Sequence, residues 1–401
     1  MIDGRRGVAV QAVGLVNGLG ARWGRELAFE AGQVWTAVGV WPLLAMLAAG
    51  ADGPVRAELE QALGVPAEEA PAAARELLAL VRRTPGCAAA LGLWTARQVE
   101  VEPDWLGQWG PSMWGRLTGG TDADRAALDQ WVKEQTGGLL QRMPVDLTEV
   151  LLVLASAVTV RTRWAKRFVP SRFRVLEGPW SWREFVKLEV SGPEVFERIS
   201  VSETSAGPVT EVRVVGDGEV DVHLVLGEPD AAPGAVVAAG FELVSGESWR
   251  MPLEGLSDGE PWPGLAVGSV DSAVPGNTGT LRTAGFAVRA EHDLLAAAEL
   301  FGLGRATAHE DWFRGISRSL PLKVSGARQA AVAEFSAEGF EGGAVTAVAM
   351  RRGGAMPAPK RFRVRRAAAH FDRPFAFLAV HRASDLVLLA GWVAEPAATT
   401  A

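Results

Sequence analysis

The chain of 401 residues contains no tyrosine and a single cysteine, although it carries 15 tryptophans. With Cys87 alone, neither an intramolecular disulfide nor a thiolate metal site can form, and the residue reads as a small, half-buried apolar side chain. Histidine is sparse: His223, His292, His309, His370 and His381 stand singly, without the spacing of a metal cluster. Basic residues are outnumbered, 40 Lys and Arg against 47 Asp and Glu, and the net charge of −7 has the wrong sign for a chain-wide nucleic-acid binder. Several enzyme signatures are missing too. No G-x-x-x-x-G-K-[ST] loop, no G-x-G-x-x-G after a strand, no H-E-x-x-H and no G-x-S-x-G elbow occurs. Gly18 and Gly20 fall inside a helical pattern and read as structural glycines. No cofactor and no metal is expected.

Long hydrophobic runs are equally few. Residues 34–51 are uncharged, which reaches the lower limit for a membrane span, but Gly39, Pro42 and Gly50 interrupt them and no second run follows. The stretch reads as a buried helix, and no membrane partner is expected. Arg5 and Arg6 precede a mildly apolar segment broken by Gln11 and Asn17, with no small-x-small cleavage site. From the residues alone the expected location is therefore the cytoplasm. What the chain does have is apolar material: 48% hydrophobic and 22% charged residues suffice for a packed core and exclude a disordered chain.

The N-terminal third reads as helices. Val13–Phe29 has apolar residues at helical spacing, and Val55–Leu63 and Pro71–Val81 are amphipathic, the former stopped by Gly64 and the latter opened by proline. Asp122–Leu140 and Leu294–Leu303 are predicted helices as well. Strands are predicted at Ala88–Thr95, at 195–227, at Ala331–Glu334, at Phe375–Val380 and at Leu386–Val393. Val150–Val160 is apolar enough to predict a central strand covered on both faces. Between Ser336 and about Arg366 no helix pattern exists, and a loop of that length inside a compact domain is usually functional or disordered. Helices first and strands later predict an α+β fold in one domain, residues 1–401.

Four blocks, taken in chain order, resemble the serpin family. They are Leu43 to Gly53, with its buried helix and G-A-x-G turn; Leu128 to Leu139, similar to a "W-V-x-x-x-T-x-G" block; Thr148 to Phe168, with the family's central strand and Trp164; and Phe371 to Pro396, with "D-R-P-F" and "G-x-V-x-x-P" endings. The resemblance implies three β-sheets, a shell of helices and an exposed reactive-centre loop at about 336–366. It also implies a monomeric inhibitor rather than an enzyme, often extracellular. A target protease attacks the loop, forms an acyl-enzyme and is dragged away as the cut loop joins the main sheet. The partner would be a serine protease, trypsin-like or subtilisin-like, or a cysteine protease.

On that resemblance the loop hinge is Glu338, Gly339, Phe340, Glu341, Gly342, Gly343 and Ala344. A segment that becomes a central strand needs no proline and no inward charge. With Phe340 inward, Gly342, Ala344, Thr346, Val348 and Met350 follow inward, none is charged, and the first proline is Pro357. Phe340 stands where the family carries a small hydroxyl residue. It either obstructs insertion or fills an apolar pocket, worth roughly 1.5–3 kcal/mol when buried. Gly342 and Gly343 each cost about 0.5–1 kcal/mol of strand propensity. Ser156 takes the strand position where the family usually has asparagine, and Trp164 reads as core packing near the point of insertion.

The scissile-bond candidates are Arg352, Gly353 and Arg351, since the usual hinge length counted from Gly339 ends there. Arg352 implies a protease with an acidic pocket, and Gly353 an elastase- or subtilisin-like one. The basic cluster from Arg351 to Arg366 is either a polyanion site or an edge strand with Phe362 and Val364 buried and arginines outward; the second is favoured. The alternative function is a non-inhibitory binding or chaperone-like module whose loop is cut only as substrate.

Overall fold

The computed structural model describes residues 2–109, 113–135, 138, 141–142, 151–174, 178–181, 183–308, 310–324, 326–341 and 362–397. Four helices open the chain: α1 (Ile2–Glu26), α2 (Ala37–Gly50), α3 (Gly53–Leu63) and α4 (Ala70–Arg83), with strand β1 (Gln33–Trp35) ahead of α2. Every residue of α2 except Ala49 is buried, which accounts for its uncharged sequence. The predicted stop of α3 is observed: Gly64 takes φ 73° and its N–H donates to the Glu60 carbonyl at 2.8 Å.

The innermost layer is a seven-stranded sheet in the order β1-β19-β18-β10-β9-β8-β11. Its strands are β8 (Ile199–Thr204), β9 (Gly207–Val215), β10 (Val220–Leu226), β11 (Met251–Pro252), β18 (Phe375–His381) and β19 (Leu386–Val393) beside β1. Strands β18 and β19 are buried along their whole length, as near-continuous apolar runs require, and β10 is buried throughout although it carries Asp221 and His223. Helices α1 and α8 (Pro233–Ser245) cover one face. A five-stranded sheet runs β12-β17-β13-β7-β6, with β6 (Val169–Arg174), β7 (Glu184–Gly192), β12 (Leu265–Ser272), β13 (Thr278–Ala284) and β17 (Phe362–His370).

The remaining strands form two sets where one sheet was expected. A three-stranded set is β3 (Trp114–Arg116), β2 (Cys87–Thr95) and β4 (Leu152–Val160), and a four-stranded set is β14 (Phe286–Asp293), β15 (Arg328–Phe335), β16 (Gly339–Glu341) and β5 (Thr162–Arg163). Strands β4 and β5 are separated by Arg161 alone, so one length of chain serves both sets. Among the described residues β4 pairs on one edge only, with β2, and Ser156 and Val158 are half-buried. The strand expected to be central and covered on both faces has, among the described residues, one paired edge, and no described strand joins it to β15 across the seam between them. Helix α6 (Thr121–Gln135) lies against β2 and β4, and the short turns α5 (Pro103–Leu106) and α7 (Pro193–Phe196) complete the shell.

Two further expectations change. Leu294–Leu303 is not a helix but a 3-10 turn at Leu294–Ala297 followed by irregular turns. Gly302 takes φ 65° there, with the Glu58 carbonyl only 2.4 Å from where a Cβ would sit, so docking against α3 overrides helix propensity. The basic stretch from Phe362 is a strand, but not an edge strand, because β12 and β13 flank it. Val364 is buried while Phe362 is 42% exposed.

Candidate functional site: a hinge in the seam

Strand β15 alternates strictly, with Gln329, Ala331, Ala333 and Phe335 buried. Its last residue stacks on Phe286 and tilts against Trp164 at a centroid distance of 4.6 Å. The chain then reverses through Ser336–Glu338. The Ser336 N–H donates to the Gly339 carbonyl at 2.9 Å, and the Ser336 hydroxyl accepts from the Gly339 N–H at 3.3 Å. Trp164 is 4% exposed and clamps the turn: its indole Nε1 donates to the Ser336 carbonyl at 2.9 Å and its backbone N–H to the Glu338 carbonyl at 3.1 Å. The Phe168 N–H donates to the Ala337 carbonyl at 3.1 Å, and Arg167 pairs with Glu338 at 3.2 Å. Trp164 is thus core packing and hinge contact together.

The turn delivers β16 into the top of the seam. Phe340 is in register with Phe335 on one side and Thr162 on the other, and both pairings are antiparallel. Gly339 opposes Arg163, and a Cβ on it would lie 2.3 Å from the Thr162 carbonyl. No side chain fits at that approach. Glu341 opposes Glu334. The Phe340 ring is 1% exposed and lies 6.0 Å from Phe377 of β18. Before any cut, therefore, Phe340 occupies an apolar pocket at the head of the seam. Beside the hinge a cavity of about 750 Å³ is lined by Pro85, Arg161, Arg163, Asp217, Glu334 and Glu338 among others, so both charge signs face it.

Further down, β15 is tied to α2 by Gln329. Its Oε1 accepts from the Thr36 N–H and its Nε2 donates to the Thr36 carbonyl, each at 2.9 Å, while the Thr36 hydroxyl donates to the Leu388 carbonyl at 2.7 Å. Ser156 meets the same spot from β4. A Cβ on Gly39 would lie 2.8 Å from the Ser156 Oγ and 3.5 Å from the Gln329 Nε2, so α2 touches both banks of the seam at a glycine. Sequence reasoning singled out Ser156 and missed Gln329 and Thr36. The available signal was a polar residue at an inward position of an otherwise apolar alternation. Gly342, Gly343, Ala344, Arg351, Arg352 and Gly353 lie outside the described residues.

A family model described as Serpin (serine protease inhibitor) matches residues 28–177 and 278–396. Solved structures similar over nearly the whole chain include human thyroxine-binding globulin complexed with thyroxine, at 16% identity and TM-score 0.72, covering 97% of this chain and 99% of that one. Cleaved Serpin 42Da is similar at 16% identity and TM-score 0.70, covering 98% and 99%. The thermophilic serpin Tengpin in its native state is similar at 13% identity and TM-score 0.71, covering 97% and 94%. No curated protein sequence matches the chain.

Proposed function

Because the chain belongs to the serpin family, whose model matches more than half of it, we propose that it is a protease inhibitor consumed in its own reaction. Members of the family are generally inhibitors rather than enzymes. The loop between β16 and β17 is the bait, with Arg352, Gly353 or Arg351 at the scissile bond. Once cut, the segment from Gly342 onward continues β16 down the seam as a new strand. The observation that carries this reading is the hinge: Gly339–Glu341 already pairs with β5 on one edge and with β15 on the other. Continuing β16 in the same register leads along the edge of β4 that has no strand partner among the described residues. Each added residue gains ladder bonds, and the inward set Gly342, Ala344, Thr346 and Val348 is small and uncharged.

The protease is trypsin-like if Arg352 is cut and subtilisin-like if Gly353 is cut, and cysteine proteases belong in the same panel. Incubation with each enzyme, followed by denaturing electrophoresis, tests the proposal. A covalent band at the summed mass supports it. Clean cleavage by every enzyme without such a band overturns it and leaves the second reading, a non-inhibitory binding module. That second reading is supported by Phe340: the first inward side chain is large and already seated before any cut.

A further inference from the structure

Strand β5 has two edges, and the hinge strand β16 lies along one of them, with Gly339 opposite Arg163 and Phe340 opposite Thr162. Along the other runs the turn from β9 to β10, where Gly216 pairs with Trp164 as an antiparallel bridge. Two backbone bonds make that contact. The Ala165 N–H donates to the Val215 carbonyl at 3.0 Å, and the Asp217 N–H to the Arg163 carbonyl at 2.8 Å. Trp164, between them, turns its own N–H the opposite way, onto the Glu338 carbonyl of the hinge. The turn comes so close that a Cβ on Gly216 would lie 2.1 Å from the Thr162 Oγ1. Contact therefore passes from turn to hinge through a single short strand.

Gly216 likewise turns its own backbone groups away from β5, and an ion pair holds both of them. Its N–H donates to Asp221 Oδ1 at 3.1 Å, and its carbonyl accepts from Arg382 Nη2 at 3.0 Å. Asp221, on β10, is 1% exposed. Arg382 follows the last residue of β18 and donates to the Asp221 carboxylate through Nε at 3.0 Å and Nη2 at 2.6 Å. Its backbone N–H adds a bond to the Glu219 carbonyl at 2.8 Å. Arg213 stands further from Asp221, at 3.9 Å. Two charged side chains of the seven-stranded sheet thus fasten the turn from behind, and the turn fastens β5.

We propose that Asp221 and Arg382 are positioning residues for loop insertion: they brace the β9–β10 turn, which keeps β5 and Trp164 in place as the template on which the hinge strand lengthens. The proposal rests on the insertion reading above. Removing the Arg382 side chain takes a donor from the Gly216 carbonyl and leaves the buried Asp221 with the more distant Arg213. The turn relaxes, and β5 with it. Growth of the ladder from β16 then slows, whereas attack on the loop, a matter of bait and protease, does not. Trapping competes with hydrolysis of the acyl-enzyme, so slower insertion yields more cleaved product.

Trypsin, subtilisin and papain are each incubated with the protein, and covalent complex and cleaved product are measured by denaturing electrophoresis. With an enzyme that the unaltered protein traps, Arg382→Met should lower the ratio of complex to cleaved product about three- to tenfold at an unchanged rate of loop cleavage. Arg250→Met is the control. It deprives the buried Glu211 of an arginine in the same sheet but leaves the contacts of Gly216 alone, and should keep the ratio. Where Arg382→Met fails to fold, the double variant Asp221→Asn/Arg382→Met takes its place, because it leaves no charge buried at this position. An unchanged ratio, or an equal fall in Arg250→Met, overturns the positioning role and leaves the insertion reading intact. No complex between the unaltered protein and any of the three enzymes overturns the insertion reading, and the positioning role with it.

Discussion

Phe340 shows how one side chain can bear on two states of the molecule. In the uncut protein its ring is packed against Phe377, so the hinge is moored to the seven-stranded sheet by burial as well as by backbone pairing. Phe340→Thr should destabilise the uncut protein by roughly 1.5–3 kcal/mol, read as a lowered midpoint in a denaturant or thermal melt. Phe340→Arg places a charge in the same apolar seat and should both lower the midpoint further and shift the outcome with a susceptible protease from trapped complex toward cleaved product. An unchanged melt for both variants would mean that Phe340 does not occupy this pocket in solution. Cys87 behaves as its sequence context suggests. Burial, with a smaller contribution from the Glu219 charge, pushes its thiol up to about 12, so the native protein should react with iodoacetamide at pH 8 far more slowly than the unfolded chain. Equal rates for the two would contradict that environment.

At the scale of elements, the seam is bounded by strands that are each tied to something else. Gln329 ties β15 to the start of α2, and Gln329→Ala would strand the buried N–H and carbonyl of Thr36. A loss of about 1–3 kcal/mol is expected, measured by denaturant unfolding. Restoration by Gln329→Glu is not expected, because a carboxylate cannot donate to the Thr36 carbonyl. Strands β9 and β10 are locked by a buried ion cluster. Glu211 is 3% exposed and accepts from Arg250 and from His223 Nδ1, the latter at 2.6 Å. Burial alone would raise its pKa, but the hydrogen bonds and charges of His223 and Arg250 more than reverse this and hold the carboxyl far below the usual range. A carboxyl depressed in the folded state contributes stability that is complete above its unfolded pKa, near 4.3, and is lost as the pH falls toward the folded value. Acid unfolding below about pH 4 should therefore move to lower pH, and flatten, in Glu211→Gln. An acid limb identical to that of the unaltered protein would place the sensitivity elsewhere.

For the whole molecule, the described residues leave β4 paired on one edge and β15 paired, beyond β14, only with the short β16, and the proposed insertion would add a strand between them. That strand would pair with β4 and β15 along their length. A sample nicked in the loop should accordingly melt at a higher temperature than the uncut one, which thermal denaturation of the two side by side will show. A nicked sample melting at or below the uncut one would mean that the seam stays open after cleavage.

Much of this was legible in the residues. The helical third, α3 with its glycine stop, the buried α2 and the apolar strands β18 and β19 follow from periodicity and from punctuation by glycine and proline, because those features depend on neighbours a few positions away. The hinge and Trp164 were reached through motif likeness, and with Phe340 taken as inward, period-two alternation gave the inward set that follows it. What the residues alone left open depended on distant partners. The apolar seat that Phe340 takes before any cut is made with Phe377, on a strand beyond the loop. The latch at Gln329 exists because Thr36 is brought to it across 293 positions of sequence. That β17 is no edge, and that one expected sheet is divided by a seam, are matters of which strands lie side by side. Local pattern fixes which face of a strand is apolar, whereas neighbourhood in a sheet is fixed only when the whole core closes.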